Sequence, residues 1–276
     1  MQPVRYRAIP VLAVGLLYLQ PAAAQTSCKT PSAECVVVGE WNISVGLGLG
    51  RRTNPVLDNS DIPLVVVPQI SYYGERFFLE NLELGFTLYE SDAHTFSLIA
   101  APGYDRVFFY RNDLQNILAN VSLTTFGTDV AAPIEVPVRT RHTTYMVGPE
   151  WTFKYGPVIG QVNALYEVTG RHEGYEVRAA LAAPIIQSRN SLVLSTGVTW
   201  KSDPLVNYYY GVELFYEPGS ALNPFVKLAY TRPLSSRWTL GASVHYEVLD
   251  NAVADSPIIN EGQVMTVFAG LMYKIL

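Results

Sequence analysis

Ser243, His245 and Glu247 are the residue types of a nucleophile, a general base and an orienting carboxylate, and they fall at alternate positions of one segment. Such a set works only when each group lies within hydrogen-bonding reach of the next. In a strand, alternate side chains share a face but stand ~7 Å apart. The spacing therefore predicts a hydrated polar face whose side chains satisfy one another, and no catalytic residue is assigned. Ionisable residues recur at similar strand positions elsewhere: Glu150, Lys154, Glu167, Glu176, Arg178, Lys201 and Lys227, then His245 and Glu247 again. Their signs are interleaved, which predicts pairing across an enclosed interior rather than a filter for ions of one sign.

Other candidate ligands are sparse. His94, His142 and His172 fall where strand ends or loops are expected, so solvated roles are expected and neither metal nor cofactor is assigned. Gly46, Gly48 and Gly50 resemble a phosphate-binding loop in composition, but no helix follows to supply its N-terminal dipole. They are expected to relieve crowding instead. Cys28 and Cys35 lie close together and, in an oxidising compartment, can close a small disulfide loop.

The elements that must position these residues read as strands. Across Arg237 to Leu249, Trp238, Leu240, Ala242, Val244, Tyr246 and Val248 share one face, with Thr239, Gly241, Ser243, His245 and Glu247 on the other. A soluble sandwich would give one such strand; what matters is recurrence. Twelve segments repeat the pattern: 41–50, 62–73, 76–80, 82–89, 94–106, 143–155, 158–169, 174–187, 191–201, 225–232, 238–249 and 263–275. Most have the ~9–13 residues that cross a bilayer at a tilt. Trp41, Tyr155, Trp200, Trp238 and Tyr273 stand at or near the ends of apolar faces, as an interfacial girdle requires.

Backbone groups in hydrocarbon need internal partners, which an edgeless sheet supplies. The expected fold is thus all-β: a transmembrane antiparallel β-barrel of about twelve strands, within 10–14, with both termini periplasmic. Short turns at 156–157, 188–190 and 234–236 then fall on the periplasmic side, and long connections at 52–61, 107–142, 202–222 and 250–261 fall outside. Asn207 to Tyr216 has strand-like composition, but one more crossing would break that asymmetry, so it is placed in an outer loop, with a hairpin as one form open to it.

Composition agrees. Hydrophobic residues make up 49% and mean hydropathy is +0.15, yet after the first residues no apolar run reaches the roughly 18 of a spanning helix. Arg5 and Arg7, an apolar stretch to Leu19, and Ala22-Ala23-Ala24 read as a secretory signal peptide over 1–24. A periplasmic arm over 25–39 and a barrel over 40–276 would follow. Removing the leader leaves 17 basic against 24 acidic residues, a net charge near −7 that argues against nucleic acid as a partner.

The last strand, Val264 to Leu276, looks like an outer-membrane assembly signal, with Tyr273 and Ile275 on the apolar face. Further stretches are Trp41-Asn-Ile-Ser-Val-Gly-Leu-Gly, Pro63-Leu-Val-Val-Val-Pro, and Tyr73-Gly-Glu-Arg-Phe-Phe-Leu79. Tyr209-Tyr-Gly-Val212, Leu234-Ser-Ser-Arg-Trp238 and Asp255-Ser-Pro-Ile258 complete the set. In that order they resemble the MipA/OmpV family of outer-membrane proteins. The resemblance implies a bacterial outer-membrane location, surrounded by lipid and lipopolysaccharide. It implies no catalytic residues. It implies a non-enzymatic scaffold for periplasmic peptidoglycan-remodelling enzymes, a murein hydrolase and a murein synthase. A narrow small-solute channel, or a surface adhesin acting through outer loops, remains the alternative.

Overall fold

The computed structural model describes residues 6–8, 35–57, 59–109 and 141–276. The expected leader, most of the arm with Cys28, and residues 110–140 lie outside the described residues, so the Cys28–Cys35 pairing does too. Backbone at Tyr6–Ala8 pairs antiparallel with Cys35–Val37. From Trp41 onward twelve strands run antiparallel, each beside the next. They are β1 (Trp41–Arg52), β2 (Val66–Tyr73), β3 (Phe77–Glu80), β4 (Glu83–Glu90), β5 (His94–Pro102) and β6 (Tyr145–Tyr155). Then come β7 (Val158–Glu167), β8 (Tyr175–Gln187), β9 (Ser191–Lys201), β10 (Ala221–Pro233), β11 (Trp238–Val248) and β12 (Gln263–Lys274).

β12 pairs back onto β1, from Thr266 against Arg52 to Lys274 against Ser44, and this closes the sheet. A closed sheet has no edge to leave unpaired in lipid. Gly48 and Gly270 face each other at that seam. A Cβ on Gly48 would come within 2.3 Å of the Ala269 carbonyl and 2.7 Å of the Phe268 ring, so the absent side chains make room for that ring inside.

Burial is inverted relative to a soluble protein. Leu49, Leu88, Val168, Ile185 and Val244 are exposed, whereas Glu150, Gln161, Asn163, Glu176, Arg178 and Lys201 are buried. Large apolar side chains such as Leu49, Leu98, Leu181, Leu194 and Val244 point out from the long strands, and most of the polar ones point in. Rings gather at both rims of the outer face: Trp238 lies 4.9 Å from Tyr273 and Trp41 5.1 Å from Tyr72 at one end, and Tyr166 4.8 Å from Tyr175 at the other.

Two local readings need correction. The fifth strand ends at Pro102, not Arg106, because the chain leaves Gly103 into a 3-10 turn, Tyr104–Phe108. Asn207–Tyr216 is no hairpin: helix α1 spans Asp203–Tyr210, and only a single bridge, Val212 to Tyr216, follows. Ser202 stands at its N-cap position and Pro204 in its first turn, where the missing N–H costs nothing. A one-turn helix, α2 (Asn251–Ala254), is capped by Asp250, whose carboxylate accepts from the Ala252 N–H at 2.9 Å.

Candidate functional site: a capped and charged lumen

The long connections meet over one mouth of the barrel. Val56 bridges Ile259, the Leu57 N–H donates to Ile258 O at 2.8 Å, and the Asn260 N–H donates to Pro55 O at 2.9 Å. Between them Leu205, Val206, Tyr209, Tyr210, Val107, Phe108 and Val253 form one buried apolar cluster. Apolar residues of loops thus cover an otherwise polar bore, which is possible because α1 wedges its Leu205–Tyr210 face inward. Arg141 ties this cap down: Nε donates to Tyr209 O and Nη2 to Gly211 O, each at 3.1 Å, with the guanidinium 5.3 Å from the centre of the Phe109 ring. Asn54 and Asn59 both donate to Phe108 O, at 3.0 and 3.1 Å.

Under the cap sits its electrostatic anchor. Asp105 Oδ1 accepts from Lys201 Nζ and from the Tyr210 hydroxyl, both at 2.6 Å. Burial alone would raise this carboxyl, but the Lys201 ammonium and the two hydrogen bonds hold it below the usual range. Burial pushes the Tyr210 and Tyr209 phenols up, so both remain protonated donors. Arg178 pairs with Glu176 and lies 5.2 Å over the Tyr104 ring, and Arg52 lies 4.8 Å over Phe108.

Among the described residues two buried ion pairs form near the capped mouth, and neither joins strands of opposite walls. They are Arg178 with Glu176, two positions along one strand, and Lys201 with a loop carboxylate. The remaining candidates go separate ways. Glu150 accepts from Gln161 on the next strand. Glu167 serves the turn after its own strand, gathering the backbone N–H groups of Arg171, His172 and Glu173 at 2.8, 3.1 and 3.1 Å. Lys154 is half-buried near the opposite mouth. Glu247 accepts from Asn223 Nδ2 at 3.1 Å. His245 lies against the Phe225 ring, 5.3 Å between centres. Ser243, His245 and Glu247 make no hydrogen bonds with one another, so geometry gives them no nucleophilic role.

His172 is a correction. It is buried rather than solvated, 8% exposed, with Nδ1 accepting from the Gly174 N–H at 3.0 Å and its ring 5.5 Å from Tyr208 of α1. Burial lowers its pKa against the pull of Glu167, Asp105 and Glu176. His94 remains exposed, its ring stacked on Trp151 and accepting from the indole N–H at 3.3 Å. Sequence reading missed Asp105, Tyr210 and Arg141 as functional residues. A lone Asp past a strand end carries no pattern, and its partner lies 96 residues away. Ser202-Asp203-Pro204 was the one legible signal of a helix start.

The family model described as MltA-interacting protein MipA matches residues 45–275. The "Putative outer membrane protein YiaT" of Escherichia coli (strain K12) is 24% identical over 84% of this chain and 90% of its own length. The "MltA-interacting protein" of the same strain is 22% identical over 87% of this chain and 92% of its own. Among solved structures, an outer membrane protein of Vibrio cholerae, OmpT in its trimer form, aligns over 86% of this chain and 99% of its own with a TM-score of 0.36 and 7% identity.

Proposed function

This chain belongs to the MltA-interacting protein MipA family, and from that premise we propose that it is a non-enzymatic scaffold for periplasmic peptidoglycan-remodelling enzymes. Its location is the bacterial outer membrane, and its fold is a closed twelve-stranded barrel. The observation that carries the scaffold reading is the asymmetry of the two mouths. Among the described residues the long connections pack into the cap, whereas the other mouth carries short turns near 74–76, 91–93, 156–157, 188–190 and 234–237 and the start of β1. With that mouth periplasmic, the turns and the 25–39 arm are the surface presented to the cell wall. A relative named for interaction with MltA, at 22% identity, supports a murein hydrolase as the partner.

The test is a pull-down of a lytic murein transglycosylase by the purified barrel, with and without residues 25–39. Capture that is lost on deleting the arm, or on replacing the turn at Ser188-Arg189-Asn190, supports the reading. No capture by the intact barrel overturns it.

A second reading has its own observation. Leu214 and Phe215, at the tip of the turn after α1, are 93% and 79% exposed. An apolar tip beyond the cap suits attachment to a surface, the role of an adhesin. Leu214→Ser with Phe215→Ser should then abolish attachment of whole cells while leaving transglycosylase capture intact.

A further inference from the structure

The lumen wall made by β9, β10, β11, β12 and β1 carries a continuous row of hydrogen-bond donors. Cross-strand register places Ser195 opposite Lys227, Lys227 opposite His245, His245 opposite Thr266, and Thr266 opposite Arg52. Since directly paired residues share a face, all five side chains look into the bore from five successive strands. The row runs obliquely, from the capped rim at Arg52 to the middle of β9 at Ser195.

These donors lack acceptors. Ser195 Oγ and Thr266 Oγ1 are buried without a hydrogen-bond partner among the described residues, and so is Arg52 Nε. Ser195 and Thr266 are 1% and 3% exposed. Lys227 is 9% exposed, and among the described residues no carboxylate or hydrogen-bonding group reaches its ammonium. Desolvating an amine without a counterion is costly, because burial penalises the charged form. Three buried unsatisfied atoms beside an ammonium without a counterion mark this row, since buried polar groups are usually paired. The carboxylates of the opposite wall do find neutral partners: Glu80 accepts from Tyr73, and Glu150 from Gln161.

We propose that this row binds the carboxylate of a small solute that carries an apolar body. The charge selects a monoanion. Lys227 and Arg52 are the two fixed cations, and Glu247, held by Asn223 two positions from His245, offsets about one of them. A dianion such as phosphate would be left undercompensated. The apolar body is placed by what lies beside the row. Phe225 lies next to His245 on the lumen side, and Ile159, Ala180, Ala182 and Val193 form a small buried apolar cluster packed against that ring. The Lys227 ammonium gives the carboxylate a charge-assisted bond, and the Thr266 hydroxyl, two strands away in register, supplies a neutral one. The inference rests on the barrel fold and is independent of which enzymes dock outside it.

The experiment titrates benzoate into the full mature chain, folded in a neutral detergent, by calorimetry, with benzamide and inorganic phosphate as comparisons. Saturable benzoate binding is expected, with benzamide and phosphate each weaker by about tenfold, the worth of one charge-assisted contact. Lys227→Met should weaken benzoate at least ~10-fold, and Thr266→Val about 3-fold, one neutral hydrogen bond. Both variants should keep the heat-modifiable electrophoretic mobility of a closed barrel. Absence of saturable benzoate binding overturns the proposal. So does binding that Lys227→Met leaves unchanged, and so does tighter binding of benzamide or phosphate.

Discussion

Lys201 and Lys227 face the same lumen from adjacent strands, β9 and β10, at 6% and 9% exposure. Lys201 receives a carboxylate from the 3-10 turn after β5, at 2.6 Å, and that bond fastens the cap to the wall. Among the described residues Lys227 receives none, and its neighbours in register are other donors. The difference teaches how a barrel of this kind divides its polar interior. Where a described loop descends into the bore, as at Asp105, charge is neutralised within the chain; where none of the described loops reaches, charge is left for something that arrives. Strand pairing alone could not make that distinction, because both lysines obey the same alternation.

The comparison breaks most easily at Asp105. Asp105→Ala strands the Lys201 ammonium and removes the acceptor of the Tyr210 hydroxyl, so it should cost about 3–5 kcal/mol. Urea unfolding of the detergent-folded barrel, followed by tryptophan fluorescence, reads the loss. Pairing Asp105→Ala with Lys201→Met should recover much of it, since two neutral groups replace one buried charge.

Arg141→Ala is the next largest. It removes two charge-assisted hydrogen bonds to the α1 backbone and a guanidinium resting on Phe109, for about 2–3 kcal/mol. The effect should be confined to the cap, seen as faster amide exchange at Tyr209 to Val212 with the strand pairs of β9 to β12 unchanged.

His172 sharpens the comparison by pH. Its folded pKa is lowered by burial, so the unfolded imidazole takes up a proton first as pH falls. Its contribution is fully present above about pH 6.5, the ordinary imidazole value, and declines below it. Asp105, also held low, keeps its contribution until the pH falls below about 4. The cap should therefore loosen modestly as the pH falls below about 6.5, before the Asp105–Lys201 pair is touched. Amide exchange at Tyr208 and Tyr209 follows this, and His172→Gln should flatten the pH response.

Much of the wall was legible in the sequence, and little of the cap. Period-two alternation is a local property, so Trp238 to Val248 could be assigned with its outward and inward faces before any partner was known. The twelve strands and their order follow from such stretches and the lengths between them. The cap depends instead on residues that meet across long separations. Asp105 reaches Lys201, Arg141 reaches Tyr209 and Ser256 reaches Tyr210 O, and none of these has a short-range signature. Tyr208-Tyr209-Tyr210 was misleading for a physical reason: aromatic runs favour strands on average, and here tertiary burial of two rings against Phe109 outweighs that preference. The row at Lys227 was hidden differently. Each member was readable as a polar inward residue, but only the register of five strands brings the donors side by side.

The most direct measurement compares Lys201→Met with Lys227→Met in the same detergent, by equilibrium urea unfolding. Removing Lys201 leaves Asp105 buried without its cation and should lower stability by about 3 kcal/mol, whereas removing Lys227 should leave stability unchanged or raise it by about 1 kcal/mol. Equal losses from the two substitutions would mean that Lys227 has a counterion inside the chain after all, and the division of the lumen into a closed and a receptive half would fall.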